Sequence, residues 1–198
     1  MRPAVLVCPG ARYVPRIEDA VYIGVDAGYK ILEQMGITPD FACGDFDSVD
    51  LENAEIDVPY SRHPVCKNES DTELAIMLAD EHGCSPIYVC GGLGGRVDHE
   101  FANLRLVMYR RETIILLDEK QRVFRAEKGR HRFDGSWKHI SFFAIGEAEI
   151  SLEGFDYPLD HRLITNRDIY TLSNSIQGRE GWLRVHAGAV LCMESDLK

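Results

Sequence analysis

Short apolar runs alternate with helix-period segments over the first two-thirds of this 198-residue chain, and that alternation constrains the fold more than any other feature. Val5-Leu6-Val7-Cys8, Val21-Tyr22-Ile23-Gly24-Val25, Ile87-Tyr88-Val89-Cys90 and Ile114 to Leu117 read as buried strands. Between them, Ile31, Leu32 and Met35 fall at helical spacing and Gly36 suits a stop. Ser70-Asp71-Thr72-Glu73 forms a capping box for a helix to His82, with Leu74, Met77 and Leu78 on one face and Gly83 at its end. A further helix is expected from Asp98 to Arg110, burying Leu104, Val107 and Met108. Strands alternating with helices imply a mainly parallel sheet covered on both faces, a three-layer α/β/α domain.

From about Gly135 the pattern changes. Trp137 to Ala144, Ala148 to Leu152, Ile169 to Leu172, Trp182 to His186 and Ala189 to Met193 read as strands with turn residues between them, a small antiparallel β domain. The expected domains are 1–125 and 132–198. The basic stretch 118–134, with Lys120, Arg122, Arg125, Lys128, Arg130 and Arg132, reads more readily as a solvated surface link than as a phosphate-binding segment.

A formal charge of −10 argues against non-specific nucleic-acid binding, which draws on neutralised phosphates. It does not exclude a nucleotide met through a metal held by carboxylates. No apolar run has the length of a membrane span and the first residues lack a signal-peptide core, so a cytoplasmic protein is expected. Six cysteines at 8, 43, 66, 84, 90 and 192 show neither zinc nor disulfide spacing and read as buried free thiols.

Three clusters stand where such a fold places ligands, beyond the carboxyl ends of strands. In Gly44-Asp45-Phe46-Asp47-Ser48, two carboxylates at i and i+2 can point the same way and share a hard cation, or the segment is an Asp-rich turn. In Lys67-Asn68-Glu69-Ser70-Asp71-Thr72-Glu73, Asp71 favours the helix dipole or a metal, and Lys67 reaches a phosphate or water. In Gly91-Gly92-Leu93-Gly94-Gly95-Arg96-Val97-Asp98-His99, glycines allow close approach of phosphate and Arg96 offers a forked donor. There Asp98 caps the helix, holds metal or touches substrate. The spacing is neither Gly-x-Gly-x-x-Gly nor a Walker A.

Taken together and in order, these segments resemble the thiamine pyrophosphokinase family, marked by Gly-Asp-Phe-Asp-Ser, Lys-Asp-x-Thr-Asp and Gly-Gly-x-x-Gly-Arg-x-Asp-His. Val25-Asp26-Ala27-Gly28 looks like its early Ala-Asp-Gly-Gly, Gly154 to Leu159 like its Gly-x-x-Tyr-Pro-Leu, and Ser173-Asn174 like the start of its Ser-Asn-Glu. Asn68, Ser70 and Ser175 depart from the family's Asp, Thr and Glu.

The resemblance implies transfer of a diphosphate from ATP to thiamine's hydroxyl, in a homodimer whose pocket is shared between subunits. It implies that Asp45, Asp47 and Asp71 hold Mg²⁺, with Asp26, Lys67, Gly94, Gly95 and Arg96 near the ATP phosphates. It also implies Arg96, Asp98 and His99 toward thiamine, Asp98 as candidate base, and Ser173 and Asn174 reaching in from the partner. Trp182 reads as core. Two other readings stay open: the same transfer to another hydroxymethyl heterocycle such as a pterin, and a non-catalytic sensor of thiamine or nucleotide, toward which Asn68 points.

Overall fold

The computed structural model describes residues 1–44, 60–62, 68–176, 178 and 180–197, with 60–62 described in backbone only. The chain divides into two compact units, Met1–Glu119 and Lys120–Lys198.

The first unit is built on β1 (Ala4–Val7), β2 (Val21–Val25), β3 (Phe41–Gly44), β4 (Tyr60–Arg62), β5 (Ile87–Cys90) and β6 (Ile114–Leu117). They lie side by side in the order β4-β3-β2-β1-β5-β6, every neighbouring pair parallel. All four residues of β1 are fully buried, on both faces of the pleat. Val5 and Val7 on one face pack with Leu32 of α1 (Gly28–Gln34). Covered on both faces, such a strand reads as a continuous apolar run rather than an alternating one.

α2 (Asp71–Glu81) begins as expected, with Ser70 as N-cap accepting from the Glu73 N–H at 3.1 Å. Its buried stripe differs from expectation: Ala75, Ile76 and Ala79 face the sheet, and Leu74, Met77 and Leu78 are half-buried. α3 (Val97–Tyr109) buries Val107 and, unexpectedly, Asn103, whereas Leu104 and Met108 are half-buried.

The second unit is antiparallel throughout. One sheet orders β7 (Gln121–Ala126), β13 (Val190–Ser195) and β9 (His139–Ala144). The other orders β11 (Leu159–Thr165), β10 (Glu147–Glu153), β12 (Gly181–Ala187) and β8 (Gly129–Phe133). A single core drawn from both sheets lies between them, centred on Phe133, Phe142 and Phe155. Their rings meet edge to face at 5.4–5.9 Å, the arrangement aromatic quadrupoles favour.

Three expectations are corrected here. The stretch 118–134 is not a solvated link but holds β7 and β8: Val123, Ala126 and Phe133 are buried, while four of its arginines form ion pairs. Arg122 pairs with Glu194, Arg125 with Glu127, Arg130 with Glu153 and Arg132 with Glu180. Ile169 to Leu172 is a turn, not a strand, with Leu172 N–H donating to the Ile169 carbonyl at 3.2 Å. Trp182 is half-buried rather than core, with the Arg130 guanidinium 3.9 Å over its ring. The five cysteines among the described residues are all buried. No helix among the described residues is long and apolar enough to cross a membrane.

Candidate active site

Strand order reverses at β1, which has β2 on one side and β5 on the other. In an open parallel sheet the loops leaving such neighbours diverge and leave a crevice at the carboxyl edge, where ligands bind. A cleft of about 300 Å³ occupies this position. The loop after β1 contributes Cys8 and Pro9, the end of β2 contributes Asp26, and the start of α2 contributes Ser70, Asp71 and Thr72. The glycine run after β5 and the first turns of α3 form the rest, including Gly95, Arg96, His99, Glu100 and Asn103.

Asp26 is held in an unusual way. Its backbone is left-handed at φ 47°, a conformation that is strained for a residue with a side chain and that collects at functional sites. Its N–H donates to the Cys43 carbonyl at 2.9 Å, which fixes the residue against β3. A Cβ placed on Gly44 would sit 1.9 Å from Asp26 Oδ1, so only glycine there leaves the carboxylate its place. Asp71 stands at the first helical position of α2, where the positive end of the helix dipole favours its charge. Both carboxylates lie near the Cys8 thiol, which donates or accepts a long contact with Thr72 Oγ1 at 3.7 Å. Burial, reinforced by Asp26 and Asp71, pushes that thiol up to about 11.

The glycine run turns sharply. Gly91 has φ 81°, and a Cβ there would meet Ala11 N at 2.8 Å, so the loops after β1 and β5 touch backbone to backbone. Asn103, buried on α3, donates from Nδ2 to the Gly92 carbonyl at 3.0 Å and ties the loop to the helix. Beyond it, Arg96 and Asp98 form a forked ion pair at 3.1 and 2.6 Å, with the side chains 74% and 64% exposed. Hydrogen bonding from Arg96, with a smaller contribution from the His99 N–H, holds the Asp98 carboxyl below the usual carboxylate range. Asp98 does not cap α3: Arg96 is the N-cap residue, with no side-chain cap bond, and Asp98 lies in the first turn.

Of the residues expected at the site, Asp26, Asp71, Gly95, Arg96 and His99 line one cleft, and Gly94 and Asp98 belong to the loop and helix turn that border it. Asp45, Asp47 and Lys67 lie outside the described residues. Among the described residues no group of three His, Cys, Asp or Glu side chains is arranged as a metal site. Cys8, Pro9, Thr72 and Glu100 were not anticipated; a glycine-containing turn directly after the first strand, Cys8-Pro9-Gly10-Ala11, was the available signal.

Ser173 and Asn174 belong to the second unit. Ser173 is left-handed at φ 55°, and its N–H donates to Ser141 Oγ at 2.9 Å. Asn174 is 2% exposed. Its Oδ1 accepts from the N–H groups of Tyr157 and Ser175 at 3.0 Å, and its Nδ2 donates to the Tyr157 carbonyl at 2.9 Å. Tyr157, Tyr170 and Leu172 form an exposed apolar group around a small hollow beside it.

Glycine backbone and carboxylates gathered at the carboxyl edge of a parallel sheet define an α/β protein of the kind that receives small anionic ligands. The family model described as "Thiamin pyrophosphokinase, catalytic domain" matches residues 17–117. Thiamine pyrophosphokinase of Bacillus subtilis is 31% identical over 189 residues, covering 90% of this chain and 88% of that protein. The crystal structure of thiamine pyrophosphokinase from Bacillus subtilis superposes with a TM-score of 0.86 at 28% identity, over 99% of this chain and 100% of that one. That of thiamin pyrophosphokinase from Geobacillus thermodenitrificans gives 0.85 at 28% identity, over 98% of each. The chain belongs to the thiamine pyrophosphokinase family.

Proposed function

We propose that this chain transfers a diphosphate from ATP to the primary hydroxyl of thiamine, giving thiamine diphosphate and AMP. The thiamine hydroxyl gives its proton to solvent as its oxygen forms a bond to the β-phosphorus, the bond from that phosphorus to the α–β bridging oxygen breaks, and AMP carries the bridging oxygen away. The observation that carries this reading is Asp26, strained against Gly44 at the switch-point cleft and sharing it with Asp71 and the glycine run. A pterin-like acceptor and a non-catalytic sensor have no comparable support, since the relatives reported above are named for thiamine.

Oxygen donors brought together from a strand end and a helix start suit a hard divalent cation. Asp26 and Asp71 fit Mg²⁺ in that respect, and Asp45 and Asp47 would complete the set. Mg²⁺ supplies charge neutralisation on the polyphosphate. Backbone N–H groups of the glycine run receive phosphate oxygens, and Arg96 adds a planar donor. Lys67 is assigned to the same phosphates as a point charge. In-line placement of hydroxyl and polyphosphate does most of the work in this chemistry.

Asp98 and His99 face the acceptor in this reading. Arg96 makes Asp98 a poorer proton acceptor than an ordinary carboxylate, which suits orienting the hydroxyl better than removing its proton. The first unit is the ATP and Mg²⁺ domain and the second the thiamine and dimerisation domain, in a cytoplasmic homodimer. Ser173 offers its side chain to thiamine, and Asn174 holds the loop that presents it, next to the exposed Tyr157 and Leu172.

The test is incubation of the purified chain with thiamine, ATP and Mg²⁺, followed by chromatography. AMP and thiamine diphosphate in equal amounts are expected; ADP with thiamine monophosphate would sink the β-phosphorus assignment.

A further inference from the structure

We infer that Glu100 is a displaceable stand-in for a phosphate oxygen on the glycine loop, so that nucleotide must evict a carboxylate to bind. The inference rests on the reading of the cleft as the ATP site. Gly94, left-handed at φ 72°, donates its N–H to Glu100 Oε2 at 3.2 Å. Glu100 lies one turn into α3 and lines the cleft. A Cβ built on either Gly94 or Gly95 would meet nothing within 4 Å, so apart from Glu100 on the Gly94 N–H this stretch of backbone has open space beside it.

The neighbouring donors are engaged in the same manner. The His99 N–H donates to Asp98 Oδ1 at 3.0 Å, and the Arg96 guanidinium forks onto both oxygens of Asp98. Three donors suited to an anion, Gly94 N–H, His99 N–H and Arg96, therefore hold carboxylates supplied by the first turns of α3. Such a carboxylate copies the charge and acceptor geometry of a phosphate oxygen. It satisfies the loop's donors and keeps the turn in shape.

Two anions do not share one N–H. A polyphosphate arriving at Gly94 breaks the Glu100 contact, and a carboxylate left close by repels it. The contact is at the long end of the range for N–H···O bonds and is made by a flexible side chain, so it opens readily. Glu100 thus lowers nucleotide affinity while holding the empty-handed donors in their working positions.

The test compares wild type with E100A, E100Q and E100D in the full chain, reading the Kd of Mg²⁺-ADP by calorimetry and turnover with thiamine and ATP. Removing a unit charge several ångströms from the phosphates should tighten ADP about fivefold in E100A. E100Q should tighten it less, because the amide oxygen still accepts from Gly94. E100D is the discriminating variant: it keeps the charge but is one methylene too short for the contact, and it too should tighten binding. ADP affinity in E100D equal to wild type, with E100A tighter, would leave only through-space repulsion and overturn the inference. Weaker ADP binding in E100A would make Glu100 a holder of ligand or metal and overturn it as well. Wild type that neither binds ADP nor turns over would remove the ATP-site reading itself, an outcome separate from unchanged variants in an active enzyme.

Discussion

Asp26 and Asn174 both sit beside left-handed backbone outside regular strands, yet the two units use such polar groups in opposite ways. Asp26 carries the strain itself and directs its carboxylate toward a cleft, with Gly44 left bare to make room. Asn174 leaves the strain to Ser173 and turns its amide inward, where it bonds both Tyr157 and Ser175. In the first unit, polar groups at the carboxyl edge of the sheet line a cleft. In the second, a buried amide does the work that a strand ladder would do elsewhere. The role of a polar residue in an irregular segment is thus set by where its acceptors point, not by its residue type.

The largest effect is expected of Asp71→Asn. Loss of a metal-holding carboxylate should lower turnover by about a thousandfold or more, the scale of a lost electrostatic contact in a transition state. Stability should fall by only about 0.3–1 kcal/mol, the worth of a first-turn charge on a helix dipole. Steady-state rates and urea melts measured on one sample separate the two, and near-wild-type turnover would remove Asp71 from the site.

Phe155→Ala tests the other side. Phe155 is buried at the junction of the three-ring cluster, and its truncation should cost about 3–5 kcal/mol in the transition of the second unit. Asn174→Ala should cost about 2 kcal/mol, because the N–H groups of Tyr157 and Ser175 lose their acceptor. An Asn174→Ala protein of wild-type stability that no longer binds thiamine would reverse its assignment and make it a contact residue.

Much of this contrast was legible in the sequence where burial is symmetric. β2, β5 and β6 were read to the residue, because strands covered on both faces are apolar throughout. β11 was not read: it is the edge strand of its sheet, and of Leu159 to Thr165 only Ile164 is buried. β7 and β8 hid behind their arginines, whose partners Glu194, Glu153 and Glu180 are distant in the chain. At the site, the glycine run and Asp71 were visible as motifs, and Asp26 through its motif position. Glu100 had no pattern of its own, since it enters the cleft from the first turn of α3, and Cys8 was signalled only by the glycine-containing turn after β1.

The smallest effect concerns the thiols, and it compares a cleft cysteine with a core one. Burial pushes Cys8 up to about 11 and Cys90 up to about 12, and it raises Cys192 well above its ordinary range. An unfolded cysteine titrates near 8.5. A raised thiol pKa in the fold contributes stability that is fully present below the unfolded pKa and is lost as pH rises toward the folded value. Urea midpoints should therefore hold steady below pH 8 and decline between pH 9 and 11. Native alkylation by iodoacetamide at pH 8 should be slow at all three positions and should accelerate about tenfold per pH unit as thiolate appears. Peptide mapping then distinguishes the units. Mg²⁺-ADP should protect Cys8, which lines the cleft, and leave Cys192 unchanged. Equal protection of both would mean that nucleotide merely stabilises the whole chain, and the cleft would lose its claim to the ligand.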